Sequence, residues 1–272
     1  MSTTKVKEIM QKIAVITGAS KGIGLETAKY FFSKGYAVYD LSRSGGDTAW
    51  STHVYCDVAD ASSVAEATAQ VLNQTNRIDL LVCNAGYGIS GAVEFTAVEE
   101  AKKQFDVNFF GAFLTAQAFL PQFRRQGFGN IVFVGSVAGV FAIPFQSFYS
   151  ASKSAICALA CALRQEVKAF GIKVSVVLPG DTKTEFTACR EKSHRGSEVY
   201  SVMEKSIKKM EKDEIQGVGA QKVAKVIYRQ ATKKRPPVVR TVGADYKLLV
   251  FLKRLLPETA VNDIVGGTYC KK

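Results

Sequence analysis

Histidine is almost absent from this chain. His53 and His194 are its only two, too few to build a histidine-rich metal site or a histidine-centred triad, and no metal is expected. The six cysteines, Cys56, Cys83, Cys157, Cys161, Cys189 and Cys270, contain no Cys-x-x-Cys pair and no dense framework. They read as free thiols of a reducing compartment, so a cytoplasmic location is expected. No run of about 18 apolar residues occurs, so a spanning helix is not expected. The first 11 residues are polar and lack the apolar region of a secretory leader. Linkers, low-complexity stretches and internal repeats are also missing, and 272 residues suit one large domain.

Excess charge is missing from the first two thirds. Residues 1–182 hold 16 Lys and Arg against 14 Asp and Glu, whereas residues 183–272 hold 20 against 10. The net charge of +12 is thus a property of the last third. Its basic residues are not interleaved with aromatics and accompany no nucleic-acid motif, so no nucleic acid is expected. A solvated helical face is the plain reading. The sharper one is attraction of an anionic substrate or an acidic membrane surface.

What is present is an alternation of short apolar runs with longer stretches of helical period. Strands are expected at 13–17, 37–42, 53–58, 79–85, 130–136 and 173–178, with helices at 22–34, 99–123 and 149–170. After Pro179 and Gly180 the chain turns charged and helix-prone over 183–217, with no clear strand. A helix at 220–232, a strand at 237–242 and an apolar stretch at 246–256 follow. The pattern is α/β: a single-domain, Rossmann-like, doubly wound parallel sheet with helices on both faces. It carries an inserted lid at 185–217 and a C-terminal extension from about residue 244.

Two clusters carry the chemistry. The first follows the opening strand, where Gly18, Gly22 and Gly24 enclose Ser20, Lys21 and Ile23. Glycines at a strand-to-helix turn let the backbone approach a pyrophosphate, and free N–H groups at the helix start face that anion. The end of the second strand chooses between the two nicotinamide dinucleotides. Ser42 holds the position expected of a selecting carboxylate, Asp40 lies two residues earlier, and Arg43 follows with Lys21 nearby. Two cations at one corner suit a 2′-phosphate, so the expected cofactor is NADP(H). The alternative makes Arg43 and Lys21 ordinary surface charges and Asp40 the selecting carboxylate. The second cluster is Tyr149 and Lys153, one helical turn apart and so on one face. A neighbouring ammonium favours the phenolate and is expected to bring the phenol below its ordinary value near 10.

With these motifs in order, residues 12–184 resemble the short-chain dehydrogenase/reductase family. The family's glycine turn is matched by Gly18, Gly22 and Gly24, and its Asn-Ala-Gly motif by Asn84, Ala85 and Gly86. Its helix asparagine is matched by Asn108, its serine by Ser136, and its Tyr-x-x-x-Lys by Tyr149 and Lys153. Its Pro-Gly turn is Pro179 and Gly180, with Thr182 and Thr184 behind. One departure is visible: only 44–51 separates the second and third strands, where many members place a helix. The resemblance implies that Tyr149 is the general acid for carbonyl reduction and that Lys153 also holds the nicotinamide ribose. It implies that Ser136 holds the substrate oxygen and Asn108 a water in a relay to Lys153. It adds cofactor contacts from Asp57 and Val58.

The residues after Ser136 are greasy, with Val137, Val140, Phe141, Ile143, Phe145 and Phe148. They predict an apolar carbonyl or alcohol substrate, with Val137 and Phe145 beside Ser136 and Tyr149. The resemblance points to steroid-, retinol- or acyl-lipid-like ketones, with a 3-oxoacyl thioester on an acidic carrier or coenzyme A as the alternative. It also implies a homodimer or homotetramer through the two long helices. The stretch 246–256 reads as packing on the domain or a second subunit in preference to lying in a membrane surface.

Overall fold

The computed structural model describes residues 11–271, so of the polar N-terminal stretch read above only Gln11 falls within it. β1 (Ile13–Thr17) is buried at every position, as a parallel strand covered on both faces must be. On one side it pairs with β2 (Ala37–Ser42), which pairs with β3 (Thr52–Tyr55). On the other it pairs with β4 (Leu80–Cys83), followed by β5 (Gly129–Val134), β6 (Ile172–Leu178) and β7 (Val239–Thr241). The sheet is parallel throughout, in the order β7-β6-β5-β4-β1-β2-β3. The winding reverses between β1 and β4, and the carboxyl ends of strands at such a point open the crevice where this architecture binds ligands.

Helices cover both faces. α1 (Gly22–Phe32) and α7 (Ala220–Thr232) lie on one side, where Phe31, Val223 and Ile227 are fully buried. α2 (Ala61–Gln74), α4 (Gly111–Gln126) and α5 (Ser147–Glu166) lie on the other, over Phe119, Phe123 and Phe133. Cutting any of these phenylalanines to alanine costs about 3–5 kcal/mol.

Three sequence expectations change. The helix expected at 99–123 is α3 (Val98–Phe105) and α4, joined by one π-helical stretch, Asp106–Phe110. Such bulges cluster at functional sites, and this one holds Asn108. The third strand stops at Tyr55. Beyond it Asp60 caps α2, its Oδ1 accepting the Ser62 N–H at 2.8 Å, a helix not named from sequence. The segment expected as a lid holds α6 (Met203–Gln216) and is tied down by two strand bridges, one flanking it and one within it. Thr182–Lys183 pairs with Val218–Gly219, and Glu191–Lys192 with Ile89–Ser90. Two-residue bridges leave no periodicity to read. The chain ends in α8 (Ala244–Lys253) and α9 (Glu258–Tyr269).

Candidate active site

The glycine turn is built by close approach. Gly18 sits at φ +67° and Gly22 at φ +58°, backbone that side chains rarely adopt. A Cβ on Gly24 would lie 2.1 Å from the Gly18 carbonyl oxygen and 2.6 Å from Asn84 Nδ2. Gly24 therefore faces the turn's interior, while Gly18, Ser20, Lys21, Gly22 and Ile23 line the cleft. Asn84 locks the turn by donating from Nδ2 to the carbonyls of Thr17 (3.0 Å) and Gly18 (3.1 Å). Thr17 Oγ1 in return accepts the N–H groups of Asn84 and Ala85. At the start of α1, Lys21 makes no side-chain cap and no carboxylate stands in the first turn. The helix's leading N–H groups are thus left for an anion at the cleft. Gly24→Ala is expected to cost about 2 kcal/mol of stability and to weaken dinucleotide binding, read by thermal melting and calorimetry.

Asp40 is tied into the fold and is absent from the cleft lining. It is buried, its Oδ1 accepts the Ala19 N–H at 2.8 Å, and its Oδ2 accepts from Ser42 Oγ at 3.0 Å. Its carboxylate staples the glycine turn to β2. Arg43, by contrast, is largely exposed and lines the cleft, with Asp57 Oδ2 at 3.9 Å as a loose partner. Lys21 also lines the cleft, with its Nζ donating to Cys189 Sγ at 3.2 Å. Val58, Asn84, Ala85, Gly86, Pro179, Gly180, Thr182 and Thr184 complete the wall expected for the cofactor. These residues fit a nicotinamide dinucleotide.

Ser136, Tyr149 and Lys153 meet deeper in the cleft. Ser136 lies just beyond β5, held by its cap on the Ala138 N–H (3.1 Å). Lys153 is buried and its Nζ donates to the Val134 carbonyl at 2.9 Å. Burial pulls this ammonium down from its ordinary value, to about 8. Burial pushes the Tyr149 phenol up, to about 12, with the Ser136 hydroxyl pulling the other way. The expected lowering by Lys153 is not what these groups produce. Its Nζ lies 5.8 Å from the Tyr149 ring centre, and burial of the phenol outweighs the pull of Ser136 and Arg190.

Asn108 does not line the cleft. Its Oδ1 accepts the Tyr87 N–H and its Nδ2 donates to the Tyr87 carbonyl, both at 3.0 Å, while Nδ2 also reaches Ser152 Oγ at 3.2 Å. Both Nδ2 hydrogens are spent on bracing the segment after Gly86 and on Ser152, while Oδ1 keeps one lone pair. Phe145 also lies outside the cleft. At φ +60° it turns beneath the lid and packs edge-on to Tyr200, 6.1 Å between centres. Val137, Phe141 and Ile143 do line the cleft.

Sequence reasoning missed the outer wall. Phe186 stacks tilted against Tyr149 at 5.5 Å, and Met210 comes from α6. Tyr246 donates its hydroxyl to Asp181 and covers Gly180, where a Cβ would strike its ring. Leu249, Ile264, Val265 and Tyr269 line the outer end of the cleft. The cavity, about 670 Å³, runs unbroken from the glycine turn to these C-terminal helices.

Comparison with known proteins agrees with this geometry. The family model for short chain dehydrogenases matches residues 12–195. A 3-ketodihydrosphingosine reductase of Bacteroides thetaiotaomicron is 37% identical over 242 residues, covering 88% of this chain and 90% of its own. Among solved structures, ElxO with NADP bound superposes with a TM-score of 0.74 at 26% identity, over 88% of this chain and 100% of that one. A short chain dehydrogenase/reductase from Burkholderia phymatum in complex with NAD shares the fold, with a TM-score of 0.78 at 23% identity over 90% and 93%.

Proposed function

The chain belongs to the short-chain dehydrogenase/reductase family of oxidoreductases, and we propose that it reduces a ketone on a long, lipid-like molecule to a secondary alcohol with NADP(H). The observation that carries this reading is the cleft, which leads from Ser136 and Tyr149 along an apolar wall to Leu249 and Ile264. Val137, Phe141, Ile143, Phe186, Met210 and Leu249 supply the apolar side of that path. A similar protein named for a lipid ketone, the Bacteroides reductase, supports the same class.

The bound nicotinamide would supply the hydride. The chain's own groups do the rest. With its phenol pushed up to about 12, Tyr149 is protonated at neutral pH, the state a general acid for carbonyl reduction needs. Its hydroxyl gives the proton to the carbonyl oxygen, which the Ser136 hydroxyl holds in place. Lys153 spends one of its three donors on the Val134 carbonyl and keeps two for a ribose hydroxyl and the phenol. Asn108 acts through Tyr87 and Ser152, fixing the segment that carries Gly86 beside Lys153. Arg43 and Lys21 hold the 2′-phosphate. Since similar folds are known with either dinucleotide, the choice rests on this corner.

The pH dependence follows from Lys153. Its ammonium persists below about pH 8 and is lost above it, so kcat/KM for reduction is expected to fall on that side. In Lys153→Arg the charge persists, and the alkaline limb of the residual activity should disappear. The same burial bears on stability. Between about pH 8 and its ordinary value of 10.5 this group holds fewer protons folded than unfolded, so its contribution to stability rises with pH across that window. Lys153→Met should therefore melt at a higher temperature than the parent at neutral pH while losing turnover.

The test of the substrate class is a panel of long-chain ketones, sugars and 3-oxoacyl thioesters with each dinucleotide. Turnover confined to sugars or small polar ketones would contradict the proposal. Turnover confined to thioesters would favour the acyl alternative, for which the basic last third is the supporting feature. Phe105, Phe109 and Phe110 form an edge-on ladder ending in an exposed Phe110. This supports pairing of two chains along α3 to α5, which sedimentation would detect.

A further inference from the structure

Of the two packings expected for the 246–256 stretch, on the domain or on a second subunit, the first is slight. α8 buries none of its residues, and its anchor is Tyr246 against Gly180 and Asp181. Leu248, Phe251, Leu252 and Leu255 recur at helical spacing, and all are exposed, Leu255 by 67%. With Leu249, Leu256 and Ile264 they make up seven of the sixteen exposed large apolar side chains among the described residues. Such a concentration within 17 residues marks a surface that meets something.

The neighbouring charge says what. α6 packs against α9. Its acids point to partners within the fold: Glu214 pairs with Arg190, Glu211 with Lys192 and Asp213 with Lys209. Lys205, Lys208 and Lys212 are exposed and take part in no ion pair among the described residues, and the same holds for Lys247 and Arg254 on the α8 segment. Among the described residues, Asp245 on α8 and Asp263 on α9 are exposed and unpaired as well, but these cations outnumber them. Greasy helices with that balance match an anionic lipid surface. No helix among the described residues is long and apolar enough to cross a membrane, so the fit is to lying on one. A second copy seated here would cover Leu249 and Ile264, which are at once exposed and part of the cleft wall.

We propose that α8 and α9 form a membrane-docking strap, which seats the cleft mouth on an anionic bilayer. Docking rests on the surface alone. That the apolar substrate enters from the bilayer rests on the function proposed above.

The test is flotation of the full chain with vesicles of phosphatidylcholine, with and without phosphatidylserine. The parent is expected to float with the anionic vesicles. Leu248→Ser, Phe251→Ser and Leu255→Ser combined should weaken partition by about a hundredfold. Being exposed, these changes should leave melting temperature and turnover of a short soluble ketone unchanged. Lys205→Gln, Lys208→Gln and Lys212→Gln combined should remove the preference for phosphatidylserine. A parent that never floats, or a dimer that the serine variant dissociates without any vesicle binding, overturns the strap. Flotation without turnover of any ketone would leave the strap standing and remove the proposed function instead.

Discussion

Tyr149→Phe is expected to lower kcat by about a thousandfold, the scale of losing a positioned acid. Binding of NADPH should stay within about twofold, because the ring remains and only the hydroxyl goes. The ring's packing supports that separation: it lies tilted on Phe186 at 5.5 Å and keeps this contact without the oxygen. Stopped-flow turnover and calorimetry on the same preparation read both effects. The loss should appear in kcat and in kcat/KM alike, since the phenol serves the transition state more than the bound ground state. A variant that turns over at near-parental rates would remove Tyr149 from the chemistry. A variant that fails to bind the dinucleotide would make the residue structural.

Arg43→Asp is expected to reverse the choice of dinucleotide. The parent guanidinium is exposed and only loosely held at 3.9 Å from Asp57, so it is free to turn to a 2′-phosphate. Hydrogen bonds to a charged group are worth about 1.5–3 kcal/mol each. Losing them should weaken NADPH by about a hundredfold. An aspartate there also repels the phosphate and can accept from a 2′-hydroxyl, so NADH should gain. The preference ratio should then move by about three orders of magnitude. Asp40 is poorly placed for this role, because it is buried, is absent from the cleft lining, and is engaged with the Ala19 N–H and Ser42 Oγ. Asp40→Asn should instead loosen the glycine turn and weaken both dinucleotides together. Calorimetric titration of each variant with each dinucleotide separates the two outcomes.

The nucleotide half of the site was readable because its demands are local. A turn that crowds Gly24 against the Gly18 carbonyl admits only glycine, and an apolar strand followed by such a turn leaves a mark in the sequence. Tyr149 and Lys153 were readable for a similar reason, since four residues on one helix fix a shared face. The ionisation of the pair was not readable. Spacing gives proximity, whereas the burial that pushes the phenol up and pulls the ammonium down is set by the fold around them.

On the substrate side, Ser136, Val137 and Tyr149 line the cleft as expected, whereas what depended on long-range packing was not legible. Phe145 lies only four residues from Tyr149 yet turns away, because a left-handed backbone at φ +60° sends it under the lid toward Tyr200. Asn108 fell inside a helical pattern, and nothing local revealed that a π-helical stretch turns its amide onto Tyr87 and Ser152. The outer wall comes from α6, α8 and α9, which are distant in sequence from the catalytic pair. Tyr246 reaches Asp181 across 65 positions, a contact that no periodicity announces.

The most direct test of hydride transfer to a lipid ketone is isotopic. NADPH carrying deuterium at the transferable position is incubated with the enzyme and a long-chain ketone, and the alcohol is analysed by mass spectrometry. One deuterium on the carbinol carbon for each dinucleotide oxidised, absent with Tyr149→Phe, is the expected result. An alcohol without the label, or dinucleotide oxidised without any alcohol, would contradict it.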